Sequence, residues 1–156
     1  MKKLMLAIAA LVMLCACSSE RGYLDYRGLS MAMSAKSMCD SLMARGFYID
    51  SASTDSGSSY VLASNQEKYR ISIYYSNDTI SDIVENYTAS TMDSTSRMWQ
   101  DMHDQMEKDV CRPYMTHRAD LHKEAVYQTD KGTITLILMN RSIPTVDVRY
   151  STQITY

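Results

Sequence analysis

The chain predicts an α+β fold: two tandem α-β-β-β repeats that build an antiparallel sheet, with both helices packed on one face. Three observations predict it. Two stretches carry apolar residues at helical spacing, Met31, Ala35, Met38 and Leu42 in one, and Met98, Trp99, Met102, Met106 and Val110 in the other. Each is followed by short alternating runs separated by polar turns. The halves also match at a fixed offset of 63 residues, which places Lys68 on Lys131, Ile71 on Ile134, Ile73 on Leu136, Asn77 on Asn140, Ile83 on Val146 and Tyr87 on Tyr150. A helix stripe must cover an apolar sheet face, and this fixes the layered arrangement.

The elements follow in order. Residues 1–16 combine Lys2 and Lys3 with an apolar run from Leu4 to Leu14 and a small residue, Ala16. This is the pattern of a removable signal peptide, too short to cross a bilayer core, which takes about 20 apolar residues. The segment Leu14-Cys15-Ala16-Cys17 resembles the lipobox of bacterial lipoprotein precursors. That resemblance implies lipidation of Cys17, which becomes the first mature residue; the alternative is an ordinary secretory cut near Ala16. Two or three acyl chains would hold the protein on a membrane durably, whereas one holds it reversibly. Serine at position 18 then implies the outer membrane of the cell envelope, by analogy with Gram-negative lipoproteins. Residues 17–25 are expected to be a lipidated tether, 26–90 the first repeat and 91–156 the second.

Ser30 to Arg45 reads as the first helix, with Gly46 placed for a left-handed cap. Phe47 to Ile49 reads as a short strand, residues 51–59 as a Ser/Thr/Asp/Gly loop, and Tyr60 to Ala63 as a strand. Tyr69 to Tyr75 and Thr79 to Tyr87 form a hairpin about Asn77-Asp78. The second helix starts near Asp93 or Ser94, either of which suits a cap, and ends before Pro113. Strands over Glu124–Gln128, Thr133–Met139 and Thr145–Tyr150 complete the second unit.

Composition narrows the functions. The net charge of −2 becomes −4 once Lys2 and Lys3 are removed, and no basic run occurs, which argues against nucleic acid as a partner. Twelve tyrosines and thirteen methionines suit half-buried strands and also a protein-binding surface. Cys39 and Cys111 remain after processing. In an oxidising envelope they are expected to form a disulfide, which would stabilise by about 4 kcal/mol on the chain-entropy model; the alternative is two buried free thiols. No metal site is expected, because neither cysteine has a second ligand at helical or turn spacing. His103 and Glu107 lie one turn apart but read as part of a solvated polar face with Asp101, Asp104 and Lys108. No glycine-framed serine, phosphate loop or dinucleotide fingerprint occurs, so no catalytic residue and no cofactor is assigned.

The segments Tyr26-Arg27-Gly28-Leu29-Ser30 and Leu42-Met43-Ala44-Arg45-Gly46-Phe47, the helix bearing Trp99, and Gly132-Thr133-Ile134-Thr135-Leu136 together resemble small envelope lipoproteins common in Bacteroidetes. The tandem plan is similar to beta-lactamase-inhibitor-protein-like and PepSY-like folds. Cys111-Arg112-Pro113 departs from the pattern of those relatives. The resemblance implies a non-catalytic protein that binds other proteins, and fold likeness alone does not fix function. It also implies O-glycosylation motifs, here Asp50-Ser51-Ala52, Asp78-Thr79-Ile80 and Asp93-Ser94-Thr95. Candidate partner-binding residues are Tyr74, out of phase with Ile71 and Ile73, together with Tyr48 and Tyr60. A small ligand or cell-wall fragment, held between the sheet and the 51–59 loop, is the alternative.

Overall fold

The computed structural model describes residues 22–65, 69–119 and 121–152. The expected signal peptide and the expected lipidation site, Cys17, lie outside these residues. Among the described residues the fold is mixed α+β, with two helices and a large antiparallel sheet.

The folded part opens with a miniature hairpin, β1 (Asp25–Tyr26) and β2 (Leu29–Ser30). Its two-residue turn places Arg27 at φ 53° and Gly28 at φ 73°, the pair of left-handed residues that a tight hairpin of matching twist needs. Leu24 is buried, so the fold already includes a residue that the sequence assigned to the tether, and Tyr26 beside it is buried as well. Taking Ser30 into β2 also delays the first helix, α1, which runs Ala35–Met43 rather than from Ser30. Ser34 caps it, its Oγ accepting from Ser37 N at 3.1 Å. Gly46, at φ 96°, closes the far end, its N–H donating to Met43 O at 3.0 Å.

Next come β3 (Tyr48–Ile49), β4 (Ser59–Ala63), β5 (Tyr69–Ser76) and β6 (Thr79–Thr88). The β5–β6 turn uses Asn77 at φ 49° and Asp78 at φ 59°. The second helix, α2 (Met92–Asp109), is capped by Thr91, not by Asp93 or Ser94. Ser94 instead completes a reciprocal capping box, its Oγ accepting from Thr91 N at 3.2 Å while Thr91 Oγ1 accepts from Ser94 N at 3.1 Å. The chain continues through β7 (Met115–Arg118), β8 (His122–Gln128), β9 (Thr133–Met139) and β10 (Thr145–Ser151). Strand β7 was not expected. Every one of its residues is exposed, as on an edge strand, so it carries no apolar alternation to read.

The main sheet has the order β3-β4-β5-β6-β10-β9-β8-β7, and every pairing is antiparallel. Its register puts Leu62, Ile71, Glu85, Val148, Leu136 and Ala125 in one row across six strands. All six side chains are buried. Neighbouring rows of the same phase add Ile73, Ile83, Ile134, Tyr127, Leu138 and Val146, and these join Met38 and Leu42 of α1 and Trp99 of α2 in a single core. Residues of the opposite phase, among them Tyr48, Arg70, Tyr74, Arg149 and His117, are exposed.

Candidate functional site

The inward phase of β6 reads Ile83, Glu85, Tyr87, so a carboxylate enters the core beside β10 with only 5% of its surface exposed. An unpaired buried carboxylate would be costly. Three donors satisfy it. Tyr26 Oη donates to Glu85 Oε1 at 2.8 Å, Arg27 Nε to the same oxygen at 3.0 Å, and Tyr87 Oη to Oε2 at 2.8 Å. The β1–β2 hairpin exists in the position needed to deliver Tyr26 and Arg27. The Arg27 guanidinium also lies 5.1 Å from the Tyr69 ring centre and 5.9 Å from that of Phe47. Tyr87 stacks on Tyr69 with ring centres 4.6 Å apart, and Tyr26 meets Tyr150 edge-on at 5.2 Å.

Electrostatics reinforces this arrangement. Burial first, and the Glu85 charge second, push the hydroxyls of Tyr26, Tyr87 and Tyr150 well above the usual tyrosine value. They therefore stay neutral donors throughout the physiological range. Between this network and α2 lies a cleft of about 400 Å³, lined by Glu85, Tyr87, Val148 and Tyr150 below and by Asp101, Met102, Gln105 and Met106 on the helix. Two carboxylates, two phenol rings and two thioether chains thus border one recess. The sequence held a signal for it that the reading missed: Glu85 is a charged residue in the inward phase of an otherwise apolar strand.

The predicted tyrosines divide. Tyr74 and Tyr48 are 44% and 47% exposed. Both lie on the uncovered phase, Tyr74 opposite Asp82 and Tyr48 opposite Ala63. Tyr60 does not join them. It pairs with Ile73, lies in the inward phase and stacks on Tyr75 with ring centres 5.0 Å apart. Beside Tyr48 the open face dips into a recess of about 400 Å³ lined by Ala63, Arg70, Asn86 and Thr88. Further along this face Asn86 Nδ2 donates to Asp147 Oδ1 at 2.5 Å, and burial raises the Asp147 pKa.

Two other expectations change. Cys39 and Cys111 are free thiols. Cys39 packs within α1, in the core that includes Leu62 and Ile71, while Cys111 Sγ lies 3.7 Å from Gln128 O on β8. From β5 to β8 there are four inter-strand steps, about 19 Å at 4.8 Å each. A disulfide tolerates a Cα separation of about 7 Å at most. His103, expected on a solvated face, is instead 5% exposed, against Trp99 and Tyr127 at 5.0 and 6.1 Å between ring centres. It shares the inward stripe of α2 with Trp99, four residues earlier, and does not face solvent with Glu107. Among the described residues no three His, Cys, Asp or Glu side chains gather as a metal site, and no described helix is long and apolar enough to cross a membrane.

No family model, curated protein or solved structure matches the chain.

Proposed function

We infer that the chain is a lipid-anchored envelope protein that binds a protein partner through the uncovered face of its sheet, without catalysis. The observation that carries this reading is the eight-stranded face itself. It has two exposed tyrosines, Tyr48 and Tyr74, half-buried Val61, Val84, Val126 and Ile137, and a ready recess beside Tyr48. Aromatic anchors around a recess, with apolar area between charged rims, are what protein interfaces use.

The tandem design belongs to the same reading. Two units of one helix and four strands meet at β6 and β10, with both helices on the face opposite the open one. The register supports this. Ile83 pairs with Tyr150, Glu85 with Val148, and Tyr87 with Val146. Under the 63-residue offset, Ile83 corresponds to Val146, Glu85 to Val148 and Tyr87 to Tyr150, so each pair is mirrored by its equivalent. A pseudo-two-fold axis between Glu85 and Val148 gives that pattern, and the strand order reads the same way from either edge.

The anchor fits the geometry of the fold. From Cys17 to Gly22 the chain spans at most about 18 Å. Gly22 lies against the β8–β9 turn, where an added Cβ would sit 3.0 Å from Lys131 Cγ. A membrane holding Cys17 would therefore lie near that end of the strands. The Tyr48 recess is at the other end, where Thr88 pairs with Thr145. To test this, a photo-crosslinking residue is placed at Tyr48 or Tyr74 in the lipidated protein in its host. A shared adduct from both, and none from Lys36 on the exposed side of α1, is the expected result. Adducts of equal yield from all three positions would sink the reading.

A second reading, a small-ligand or cell-wall-fragment carrier, is favoured by the cleft above Glu85. Its place is that cleft, not the 51–59 loop.

A further inference from the structure

At the corner of the open face formed by the β7–β8 hairpin, nitrogen and sulfur donors converge. His117 and His122 face each other across the hairpin, with ring centres 5.9 Å apart. His122 pairs with Met139 on β9, and its Nδ1 lies 3.1 Å from Met139 Sδ. Its other nitrogen, Nε2, lies 3.5 Å from Glu124 Oε2. His117 pairs with Glu124 and so points to the same side of the sheet. Met115 is two residues before His117, in the same phase of β7, and is exposed.

We propose that His117, His122 and Met139 form a binding site for cuprous ion, with Met115 available as a further thioether ligand. A histidine that ligates a metal typically turns its second nitrogen toward a carboxylate, which fixes the tautomer and strengthens the ligand. Glu124 stands where that carboxylate is needed, and the lone pair of Nδ1 is then directed at Met139. With the proton held on Nε2 beside Glu124, the Nδ1 lone pair faces the thioether sulfur 3.1 Å away, and a soft cation can bridge the two. The donor set selects the ion. Thioether sulfur is soft and favours Cu(I), imidazole accepts copper or zinc, and two imidazoles with a thioether leave tetrahedral Zn(II) short of good ligands. The three ligands sit on paired strands of one sheet, so their spacing is set by backbone register. Coordination needs no redox step, since both imidazoles bind as neutral bases. The site does not rest on the docking reading, and a partner seated on that face would cover it.

The test uses the whole mature protein in detergent, with accessible thiols alkylated first so that Cys111 does not compete. Cu(I) is titrated under anaerobic, reducing conditions against a chromogenic cuprous chelator. One equivalent bound at submicromolar affinity is expected, weakened at least tenfold by His122→Ala and by Met139→Leu. The Met92→Leu change, at an exposed methionine of α2, should leave the affinity unaltered. The silver ion, as a redox-inert surrogate, should shift the Met139 methyl resonance in proton–carbon spectra. All these side chains are half-buried or exposed, so the variants should fold, and the emission of buried Trp99 checks that they do. Absence of binding, or an affinity indifferent to both His122→Ala and Met139→Leu, overturns the proposal. Binding of Zn(II) in preference to Cu(I), unaffected by Met139→Leu, overturns the role of the thioether and with it the cuprous assignment.

Discussion

A single carboxylate organises the centre of this protein. Glu85 occupies a position whose register neighbours, Ile71 and Val148, are apolar. It is tolerated because Tyr26, Arg27 and Tyr87 supply donors within 3.0 Å. Breaking a buried ion pair costs about 3–5 kcal/mol, and the partial exposure of Arg27 lowers that figure here. Glu85→Gln should therefore destabilise by about 2–3 kcal/mol, and Tyr26→Phe by about 1.5–3 kcal/mol, the worth of a hydrogen bond to a charge. The double variant should lose less than the sum, because the groups share one network. Urea titrations followed by Trp99 fluorescence check all three. The phenols set the alkaline limit. Tyr26, Tyr87 and Tyr150 hold their protons to higher pH in the fold than in the unfolded chain. The native state thus binds more protons above the unfolded value of about 10. Their contribution is fully present below that pH and is lost as pH rises beyond it. The urea midpoint should stay level from pH 8 to 9.5 and fall above pH 10, with the buried tyrosines' share of the tyrosinate absorbance at 295 nm rising only together with unfolding. Thiol chemistry gives a separate check. Burial, and then Asp40, push the Cys39 thiol up, whereas Cys111 is half-buried. A maleimide should label Cys111 in the native protein and Cys39 only on unfolding.

At the scale of elements, helices and strands depend on one another in ways that a linear reading does not reach. The tip of the β5–β6 hairpin caps α1: Asp78 Oδ1 accepts from Lys36 N at 3.1 Å, and Asp78 O from Ala35 N at 3.0 Å. Asp78→Gly keeps the left-handed turn but removes the side-chain cap, so it should cost about 1 kcal/mol. Asn77→Gly, at the adjoining turn position, should change stability by less than about 0.5 kcal/mol. Thermal melts of the two variants separate the cap from the turn. Most of the strands were legible because one phase of each is apolar and the turns are marked by Asn77-Asp78, Gly132 and Asn140. The ends of both helices were not. Ser34 and Thr91 compete with several other serines and threonines nearby, and only the tertiary position of Asp78 or the reciprocal Ser94 bond chooses between them. Strand β7 lacked any apolar signal. The site was legible in half: Tyr48 and Tyr74 follow from alternation, while Tyr60 follows the inward phase of Leu62 that the reading did not apply to it. Glu85 was visible as an out-of-place charge, but its partners Tyr26 and Arg27 come from 59 and 58 residues away, a distance no local pattern spans.

At the scale of the whole molecule, the β6–β10 junction decides whether the halves can stand alone. It consists of seven register pairs, from Asp82 with Ser151 to Thr88 with Thr145. Splitting the chain after residue 90 would leave β6 and β10 as long bare edges, each with a central row of apolar side chains exposed. The N-terminal segment crosses the same boundary. Leu24 packs on Gly132, whose added Cβ would stand 2.9 Å from Leu24 Cδ1 and 2.3 Å from Ser151 O, and Tyr26 rests on Tyr150. Each half therefore draws part of its core from the other, even though each has its own helix and four strands. Fragments 22–90 and 91–152, made separately, should show no cooperative unfolding. Mixed at equal concentration they should associate and recover the blue-shifted emission of buried Trp99. A sharp melt from either fragment alone would show that the interface merely joins two self-sufficient units. Failure to associate would place the decisive contacts in chain continuity through residues 89–91, not in the strand pairing. Gly132→Ala in the intact chain probes the same boundary from the N-terminal side. With φ at 151° and two close contacts, it should cost more than about 2 kcal/mol, read as a fall in the urea midpoint with unchanged slope.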